Sequence, residues 1–525
     1  MRRVGVFGWG IVGPKSPNID RFRENLESAD SWLSPFNGFG PNNFLVGMPE
    51  FRFEDYKSWI DARFRPNRYP QLAEKMDPTT LFAIGSFIQA LGQNPGIEDE
   101  LKRLRTAAHV YIGTGLGNVP TIERISLDVH RAQRNWNRYW ADPVRNPPLA
   151  SFLSGDTRGH EDAPPHPEQA PPDERDQAEE RWWAYWGSRS PELARYVSEL
   201  AEIEGLVVEG NVEAGKISMI KEKQRRHARL KARWQSPDPP WKAASPNLLW
   251  NISNTPASQI SMLGQITGVV FAPVAACSTF GVALKLALDA IDRGEAKAVV
   301  MGASDPPPHP LSVGAFYNAR VMAANGDVSK PLSGLRGTHV AGGSAVWIVG
   351  DLDYFTARGY RPLGMEPIAV GVTADADHII TPSKEGPIAA VRLALAKSGA
   401  SPAELGSWDL HATATPGDYL EVENLRDLLP ESVLVTARKG TFGHGMSAAG
   451  GWELTAQYLG YQSGRLFPTP LAEEELNAEI ARVHRNFVFN RGCPTPPGLA
   501  GKLSMGVGGV NACVISRPLR TASSV

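Results

Sequence analysis

The chain contains very little cysteine: three residues in 525, at Cys277, Cys493 and Cys513. So few cysteines, and an odd number of them, exclude a disulfide framework and are typical of the reducing cytoplasm, where we expect the protein to reside. A cysteine in a special local setting then becomes a candidate for chemistry. An excess of charge of one sign is also lacking, because the formal net charge is −2. This argues against general binding to nucleic acids or to membrane surfaces.

Long uninterrupted apolar segments are missing as well. The stretch 243–284 contains no Asp, Glu, Lys or Arg, but three prolines and several polar residues interrupt it. Because a membrane helix needs about 20 mostly apolar residues, we predict a buried core segment and no membrane span. Arg2-Arg3 before the apolar run 4–12 is similar to a signal peptide. Its glycines and the missing small-residue cleavage site favour a first β-strand instead.

That first strand carries a nucleotide-binding signature that its surroundings contradict. Gly8, Gly10 and Gly13 spell G-x-G-x-x-G, the loop that cradles a pyrophosphate at the N-terminus of a helix. The residues that follow, 14–18, include two prolines and predict a loop where that helix should begin. We therefore assign the three glycines to the fold and keep a dinucleotide-dependent oxidoreductase only as an alternative.

Alternating β-rich and helical segments predict an α/β protein with one long insertion. A helix is expected to end at Leu91, with Asp77 as its N-cap and Pro78 at its first position. The other segments are read from their periodicity alone. We expect strands at 4–7, 109–113, 298–301, 366–372, 408–410, 433–436 and 511–515, and helices at 251–262, 281–293, 386–397 and 451–461.

The insertion, at about 120–245, has an unusual composition. Its proline- and acid-rich segment 154–180 is expected to be a mobile loop, and aromatic residues flank that segment on both sides. We interpret the aromatic residues as the local core of the insertion. Eight Lys or Arg against one acid lie within 216–233. This run predicts a solvated helix face, with docking of an acidic partner as the alternative.

Four short motifs carry the residues that can do chemistry. Cys277 ends an apolar stretch and begins a helix, so the helix N-terminus should favour its thiolate. His411 begins HATATPGD, and His444 lies within KGTFGHGMSAAGGWE. The small residues around both histidines admit the close approach of a ligand. The turn SMGVGGVN, residues 504–511, can offer main-chain N–H groups. No metal-ligand spacing is present in the sequence.

In combination and in order, these motifs resemble those of the β-ketoacyl-acyl-carrier-protein synthases of the Cys-His-His type, in the thiolase superfamily. The resemblance spans most of residues 1–120 and 246–520. It implies an α/β, thiolase-like fold, five-layered αβαβα and built from two similar halves. Residues 1–350 would carry the nucleophile and the insertion at about 120–245, and residues 351–525 would carry both catalytic histidines.

The resemblance also implies roles for individual residues. Cys277 would accept an acyl group from a carrier-protein or coenzyme A thioester. His411 and His444 would bind the thioester oxygen of the extender and promote the loss of carbon dioxide. Lys439 and Glu453 would form an ion pair that orients the second histidine.

Further roles follow from the same resemblance. The main-chain N–H groups of Cys277 and Val507 would form the oxyanion hole. The remaining predicted contacts to the substrate or the pantetheine arm are Thr413, Thr415, Phe316, Met505 and Gly508.

Elementary chemistry agrees with these roles. A thiolate forms a thioester as labile as the incoming one, so acyl transfer is nearly balanced. Decarboxylation leaves an enolate, whose charge two neutral imidazoles can meet without a metal. No resident cofactor is expected, since phosphopantetheine would arrive on the acyl carrier protein. We therefore predict acyl transfer to Cys277, followed by decarboxylative Claisen condensation with a malonyl carrier protein.

Departures from the family pattern keep other functions open. Val507 stands where the family has a gating Phe, and the acid of G-D/E-G-A-G is missing at 342–346. We therefore expect a specialised polyketide or unusual fatty-acid pathway. The alternatives are a non-condensing thioester acyltransferase and a pocket-shaping partner subunit of a ketosynthase heterodimer. The expected partners are an acyl carrier protein, acyl and malonyl thioesters, and a second copy in a homodimer, with a heterodimer as the alternative.

Overall fold

The computed structural model describes residues 2–40, 43–208 and 212–519, with the backbone alone at 212–214. Contacts along the chain separate a compact unit, Thr121–Leu248, from a larger unit formed by the residues before and after it. The strands are β1 (Val4–Val12), β2 (Ser34–Pro35), β3 (Leu45–Val46), β4 (Ala108–Gly113), β5 (Val270–Phe271), β6 (Ala298–Asp305), β7 (Gly343–Asp351), β8 (Met365–Ala374), β9 (Leu405–Asp409), β10 (Leu434–Thr436), β11 (Arg465–Leu466), β12 (Cys493–Pro494), β13 (Leu499–Gly506) and β14 (Val510–Pro518).

The helices of the described residues are divided between the two units, and α6 to α10 lie in the insertion. They are α1 (Ile19–Asn25), α2 (Lys57–Asp61), α3 (Arg68–Lys75), α4 (Pro78–Leu91), α5 (Ile97–Leu104), α6 (Val119–Trp140), α7 (Pro147–Leu153), α8 (Arg175–Ser188), α9 (Pro191–Glu204), α10 (Val212–Trp234), α11 (Asn247–Trp250), α12 (Thr255–Gly264), α13 (Thr279–Asp292), α14 (Pro310–Asn318), α15 (Leu352–Thr356), α16 (Glu385–Ser398), α17 (Gly417–Leu425), α18 (Lys439–Phe442), α19 (Ala449–Ser463) and α20 (Ala478–Val483).

The larger unit contains two five-stranded sheets with matching topology. Their strand orders are β5-β4-β6-β7-β1 and β10-β9-β13-β14-β8. In each order the first two pairings are parallel and the last two are antiparallel. The repeat of this mixed pattern shows two similar halves, as the sequence predicts.

Helices form three layers around the two sheets. α4 and α12 pack on the outer face of the first sheet, α13 and α19 lie between the sheets, and α16 covers the outer face of the second. The five-layered αβαβα arrangement is therefore confirmed. Because the middle helices bury apolar side chains against both sheets, one core includes residues from each half, among them Phe280, Trp347, Trp452 and Val514. The two halves thus lie in a single compact unit.

The glycines of the opening motif serve the packing of helix α4 on strand β1. A Cβ at Gly10 would lie 1.9 Å from the carbonyl oxygen of Ser86, and one at Gly8 would lie 2.3 Å from that of Ala90. β1 continues through both glycines to Val12, and the next helix, α1, begins only at Ile19, so no helix follows the motif directly. Helix α4 begins as predicted, since the side chain of Asp77 accepts the N–H of Thr79 and Pro78 follows it.

Several segments differ from the sequence predictions. Strand β1 extends to Val12 and β6 to Asp305, beyond the expected ends at 7 and 301. The expected loop 154–180 becomes helical at Arg175, where α8 begins. The helix expected at 251–262 is α12, which begins only at Thr255, because Pro256 favours the first turn of a helix. No helix in the described part of the chain is long and apolar enough to cross a membrane.

The aromatic residues form the core of the inserted unit, as predicted. Trp136, Trp140 and Tyr196 pack with Leu230 of the basic helix α10, and Trp182 and Trp186 form a second cluster. Several cations of α10 are ion-paired within this unit. The pairs are Lys223 with Glu204, Arg225 and Arg226 with Glu222, Lys231 with Asp238, and Arg233 with Glu199.

Candidate active site

Cys277 lies at a strained turn before helix α13. It occupies the short 3-10 turn Ala276–Ser278, and α13 begins at the next residue. Ala276 has a φ of 47°, in the left-handed region that a residue with a Cβ rarely adopts. The hydroxyl of Thr279 holds the turn, since it accepts the N–H of Ala275 at 2.9 Å and donates to the Ala276 carbonyl at 2.7 Å. Such strain persists where the surroundings enforce it, often at functional sites.

The thiol of Cys277 is protonated at neutral pH. Burial raises its pKa to about 11, although the charge of Lys439 and the N–H groups of Val507 and Cys277 itself oppose the rise. The main-chain N–H of Cys277, at the helix N-terminus, acts in the predicted direction but does not outweigh burial. The reason is that removal of the charged form from water outweighs the favourable dipole.

His411 begins a loop that folds around two buried carboxylates of helix α17. Glu421 accepts the N–H groups of His411 and Ala412, each at 2.8 Å. Asp418 accepts the three N–H groups of residues 413–415. Together the two side chains define the main-chain path that places the His411 imidazole.

Neither carboxylate was assigned a role from the sequence. Burial raises the pKa of Glu421 to about 7 and that of Asp418 to about 6, which shows how little water reaches them. Their spacing is the signal that could have found them. Two acids three residues apart share one face of a helix, and this helix begins at Gly417, within the last two residues of the histidine motif.

His444 lies between helices α18 and α19. The main-chain N–H of His444 donates to the main-chain carbonyl of His339 at 2.7 Å, and its main-chain carbonyl accepts the N–H of Ala341 at 2.9 Å. Its ring centroid is 5.5 Å from that of His411, with the planes at 82°. Two residues further on, Met446 adopts a φ of 48°, a second left-handed residue at the site.

Both imidazoles are neutral. Burial lowers the pKa of each histidine well below its ordinary value, and the charges of Lys439 and Lys502 lower it further. This direction supports the predicted neutral form, in which each ring carries one N–H donor. Nδ1 of His444 is buried and has no hydrogen-bond partner among the described residues.

Lys439 and Glu453 form the predicted contact but hold a different histidine. Nζ of Lys439 lies 2.6 Å from Oε1 of Glu453, and both side chains are buried. The same ammonium donates to the main-chain carbonyl of His411. The expectation that the pair orients His444 directly therefore needs correction, since its hydrogen bond goes to the first histidine and only its charge reaches the second.

The glycine turn after β13 packs against the cysteine turn. The hydroxyl of Ser278 lies 2.7 Å from the carbonyl of Val510 and 3.1 Å from that of Ser504. A Cβ at Gly506 would lie 2.7 Å from the carbonyl oxygen of Ala275, so the close approach requires glycine there. The main-chain N–H groups of Val507 and Cys277 interact with the thiol and lower its pKa.

A cavity of about 140 Å³ joins these groups. Its walls contain nearly all of the predicted substrate-contacting residues. Gly508 is the exception: it does not line the cavity, and its N–H donates to the carbonyl of Ile379 instead, at 2.7 Å. Lys439 and Glu453 lie behind the cavity wall. The lining includes Cys277, His411, His444, Thr413, Thr415, Phe316, Met505 and Val507, together with Ile380 and Pro382, which the sequence did not indicate.

The groups on this cavity support acyl chemistry. A thiol can hold an acyl group, two N–H groups can bind an oxyanion beside it, and two imidazole N–H groups can stabilise a second negative charge. Among the described residues, no group of three or more His, Cys, Asp or Glu side chains is arranged to hold a metal ion.

Comparisons with known proteins agree with this geometry. The family model described as Beta-ketoacyl synthase, N-terminal domain, matches residues 218–353, and the model for the C-terminal domain matches residues 367–472. A mitochondrial protein of Schizosaccharomyces pombe, named among the 3-oxoacyl-acyl-carrier-protein synthases, is 30% identical over 291 residues. The match covers 52% of this chain and 67% of that protein. The chain belongs to the β-ketoacyl synthase family.

Other relatives place this β-ketoacyl synthase more broadly. Nodulation protein E of Rhizobium meliloti is 31% identical over 218 residues, or 41% of this chain, and the match spans about half of that relative's length, 54%. The structure of the ishigamide ketosynthase/chain length factor matches 99% of this chain and 100% of its own, with a TM-score of 0.67 and 17% identity. A type II PKS acyl-carrier protein in complex with its ketosynthase matches 99% and 100%, with a TM-score of 0.65 and 16% identity. At these identities the structural matches show the shared fold.

Proposed function

We propose that this β-ketoacyl synthase catalyses a decarboxylative Claisen condensation between an acyl thioester and a malonyl thioester. The observation that carries the proposal is the convergence of the Cys277 thiol, the neutral imidazoles of His411 and His444, and the N–H groups of Cys277 and Val507 on one cavity. Each of these groups meets one requirement of the reaction.

The first half of the reaction loads the cysteine. The sulfur of Cys277 attacks the acyl carbonyl, the bond to the carrier's sulfur breaks, and the thiol proton leaves with that departing sulfur. The oxyanion of the tetrahedral intermediate lies against the N–H groups of Cys277 and Val507. Because one thioester replaces another, the transfer is nearly balanced in free energy.

The second half makes the carbon–carbon bond. The malonyl thioester loses carbon dioxide, and the electron pair of the broken bond forms an enolate whose oxygen accepts the N–H groups of His411 and His444. The enolate carbon attacks the acyl carbonyl on Cys277, the carbon–sulfur bond breaks, and the released thiolate takes up one proton. The product is a 3-oxoacyl thioester. Loss of one preorganised donor of this kind costs about 10²–10³ in rate.

An acyl carrier protein is the proposed donor of both thioesters, and a second copy of the chain is the proposed subunit partner. The solved complex between a ketosynthase and an acyl-carrier protein supports the first proposal by analogy of fold. Strand β5 supports the second, because it lies at an open edge of its sheet and is flanked by the exposed Val269 and Val274. Sedimentation at micromolar concentration tests this, and a monomeric mass would favour the heterodimer.

Compartment, cofactors and pathway are further parts of the proposal. The three free cysteines support a cytoplasmic location, which cell fractionation tests. The imidazole donors supply the charge stabilisation that a metal would otherwise provide, so we propose that activity survives dialysis against EDTA. Val507, exposed at the cavity mouth, supports a specialised polyketide or unusual fatty-acid pathway. A survey of acyl chain lengths tests that point.

One experiment tests the central proposal. The protein is incubated with acyl and malonyl carrier proteins while intact mass and carbon dioxide are followed. We expect acylation at Cys277 and one carbon dioxide per 3-oxoacyl product. Cys277→Ala should abolish acylation, His444→Ala should spare part of it and lower decarboxylation more, and Cys513→Ala, which alters a buried cysteine outside the cavity, is the matched control.

The other outcomes identify the alternatives. Acylation without carbon dioxide would indicate the non-condensing acyltransferase, and absence of both would indicate the pocket-shaping subunit. Normal turnover by Cys277→Ala would refute the proposal.

A further inference from the structure

A second buried lysine lies behind the two histidines. Lys502, in strand β13, is 1% exposed. Its ammonium lies 2.8 Å from Oε2 of Glu453 and 3.2 Å from the main-chain carbonyl of Leu410. Because Lys502 does not line the cavity, it reaches the reaction only through other residues.

Lys502 and Lys439 form a matched pair around one carboxylate. The ammonium of Lys439 contacts Oε1 of Glu453, and that of Lys502 contacts Oε2. Each ammonium also donates to a main-chain carbonyl, and these carbonyls belong to the consecutive residues Leu410 and His411. The main chain that enters the histidine loop is therefore held by two cations instead of one.

The two lysines belong to a larger network of buried charges. Lys502 also lies 3.5 Å from Asp409, whose other oxygen is 3.6 Å from Nε of Arg438. The buried carboxyl groups of Glu421 and Asp418, on α17, interact electrostatically with Lys502 and Lys439 respectively. A buried charge is expensive unless it is paired, so a second buried lysine at this position is a feature to explain.

We propose that Lys502 is a positioning residue for the condensation. It fixes the Leu410–His411 main chain, and its charge adds to burial and to Lys439 in disfavouring protonation of either imidazole. The inference rests on the proposed function. The charges of Lys502 and Lys439 both act on each ring in this direction. The titratable and charged groups that face the histidine pair are Lys439 on α18, Lys502 on β13, Glu453 on α19, Asp409 on β9, Asp418 and Glu421 on α17, and the Cys277 thiol.

The neutral form matters because of the enolate. An imidazolium is a stronger acid than a neutral imidazole and can transfer its proton to the enolate carbon. The enolate then becomes an acetyl thioester, carbon dioxide has been lost, and no new carbon–carbon bond forms. Without the charge of Lys502, the imidazoles gain protons at a higher pH, and decarboxylation uncouples from condensation as the pH falls.

The test measures the ratio of carbon dioxide released to 3-oxoacyl product formed, between about pH 8 and about pH 6. For the wild type we expect a ratio near one throughout. For Lys502→Met we expect the ratio to rise above one and to increase towards pH 6, since loss of this positive charge raises the pKa of both imidazoles. Lys502→Arg should restore coupling, because it keeps the charge. Lys285→Met, a lysine loss on helix α13 outside the cavity, is the control.

A double variant distinguishes an effect on catalysis from a failure to fold. Lys502→Met leaves Asp409 with one cation fewer, so Lys502→Met with Asp409→Asn removes both charges and carries the same test if the single variant does not fold. A ratio that stays near one at every pH, with both rates equally reduced, overturns the inference. A wild type that neither acylates Cys277 nor releases carbon dioxide overturns the proposed function instead.

Discussion

The protonation state of Cys277 can be tested through the pH dependence of its alkylation. The structure buries the thiol and sets its pKa at about 11, against an ordinary value of 9.0. At pH 8 the thiolate fraction is then about one in a thousand, compared with about one in ten for an ordinary thiol of pKa 9. Because only the thiolate reacts, the rate should rise about tenfold per pH unit from pH 7 to 9.5, with no plateau in that range.

The assay is iodoacetamide labelling followed by intact mass and peptide mapping. Mapping separates Cys277 from Cys493, which is half-buried, and from the buried Cys513. Cys277→Ala should lose the label at that peptide alone. Labelling stops at pH 9.5 because the protein loses stability at higher pH. The pKa of the Cys277 thiol is higher in the folded state than in the unfolded state, so the free energy of unfolding falls as the pH rises from 9 towards 11. A plateau below about pH 8 would refute the reasoning, since it would mean that the helix N-terminus and Lys439 outweigh burial.

Three further outcomes are expected. Gly10→Ala places a Cβ 1.9 Å from the Ser86 carbonyl oxygen, so we expect a loss of about 1–3 kcal/mol of stability in thermal unfolding. The control is Gly92→Ala, which should be close to neutral because the nearest atom to its Cβ would be 3.3 Å away. Equal losses in the two variants would contradict this prediction. Glu421→Gln leaves one main-chain N–H without its acceptor, at about 1–3 kcal/mol. In the folded state the pKa of Glu421 is raised from 4.5 to about 7, so the stability that this group contributes falls as the pH rises through that window. Denaturant titrations should therefore show the largest difference in stability between wild type and variant near pH 4.5 and a smaller one above pH 7. A difference that does not change with pH would count against the prediction. Replacement of Arg225, Arg226 and Arg229 on α10 by Glu should weaken binding of an acyl carrier protein in a salt-dependent way. Arg158→Glu is the control. Unchanged affinity in the triple variant would indicate that α10 is only a solvated helix face.

The parts of the site that were predictable from the sequence are those with a local signature. Cys277, His411 and His444 each lie in a short stretch of small residues whose order along the chain is distinctive. The same holds for the fold, because alternating segments indicate an α/β chain and the capped start of α4 can be read from Asp77 and Pro78. In each case neighbouring residues contain the information.

The parts that were missed depend on contacts between distant residues. Lys502 and Asp409 read as ordinary strand residues with a charge, and only the folded chain brings them together around Glu453. The state of Cys277 was predicted from a helix terminus, which is local, whereas the deciding factor is burial, which is not. The target of Lys439 differed for the same reason, since a main-chain carbonyl has no sequence signature.

The backbone at the site explains why so many buried polar groups persist around it. Ala276, Ala414 and Met446 each adopt a left-handed conformation, and each lies within three residues of one reactive residue. Such a conformation costs a residue with a Cβ about 1–2 kcal/mol, so it is kept only where surrounding contacts leave no alternative. Thr279 supplies those contacts for the cysteine turn, and Asp418 supplies them for the His411 loop through the N–H groups of 413–415. The unfavourable burial of Asp418 is thus offset by the conformation it enforces, and replacement by an apolar residue of similar size would release the loop that carries the imidazole.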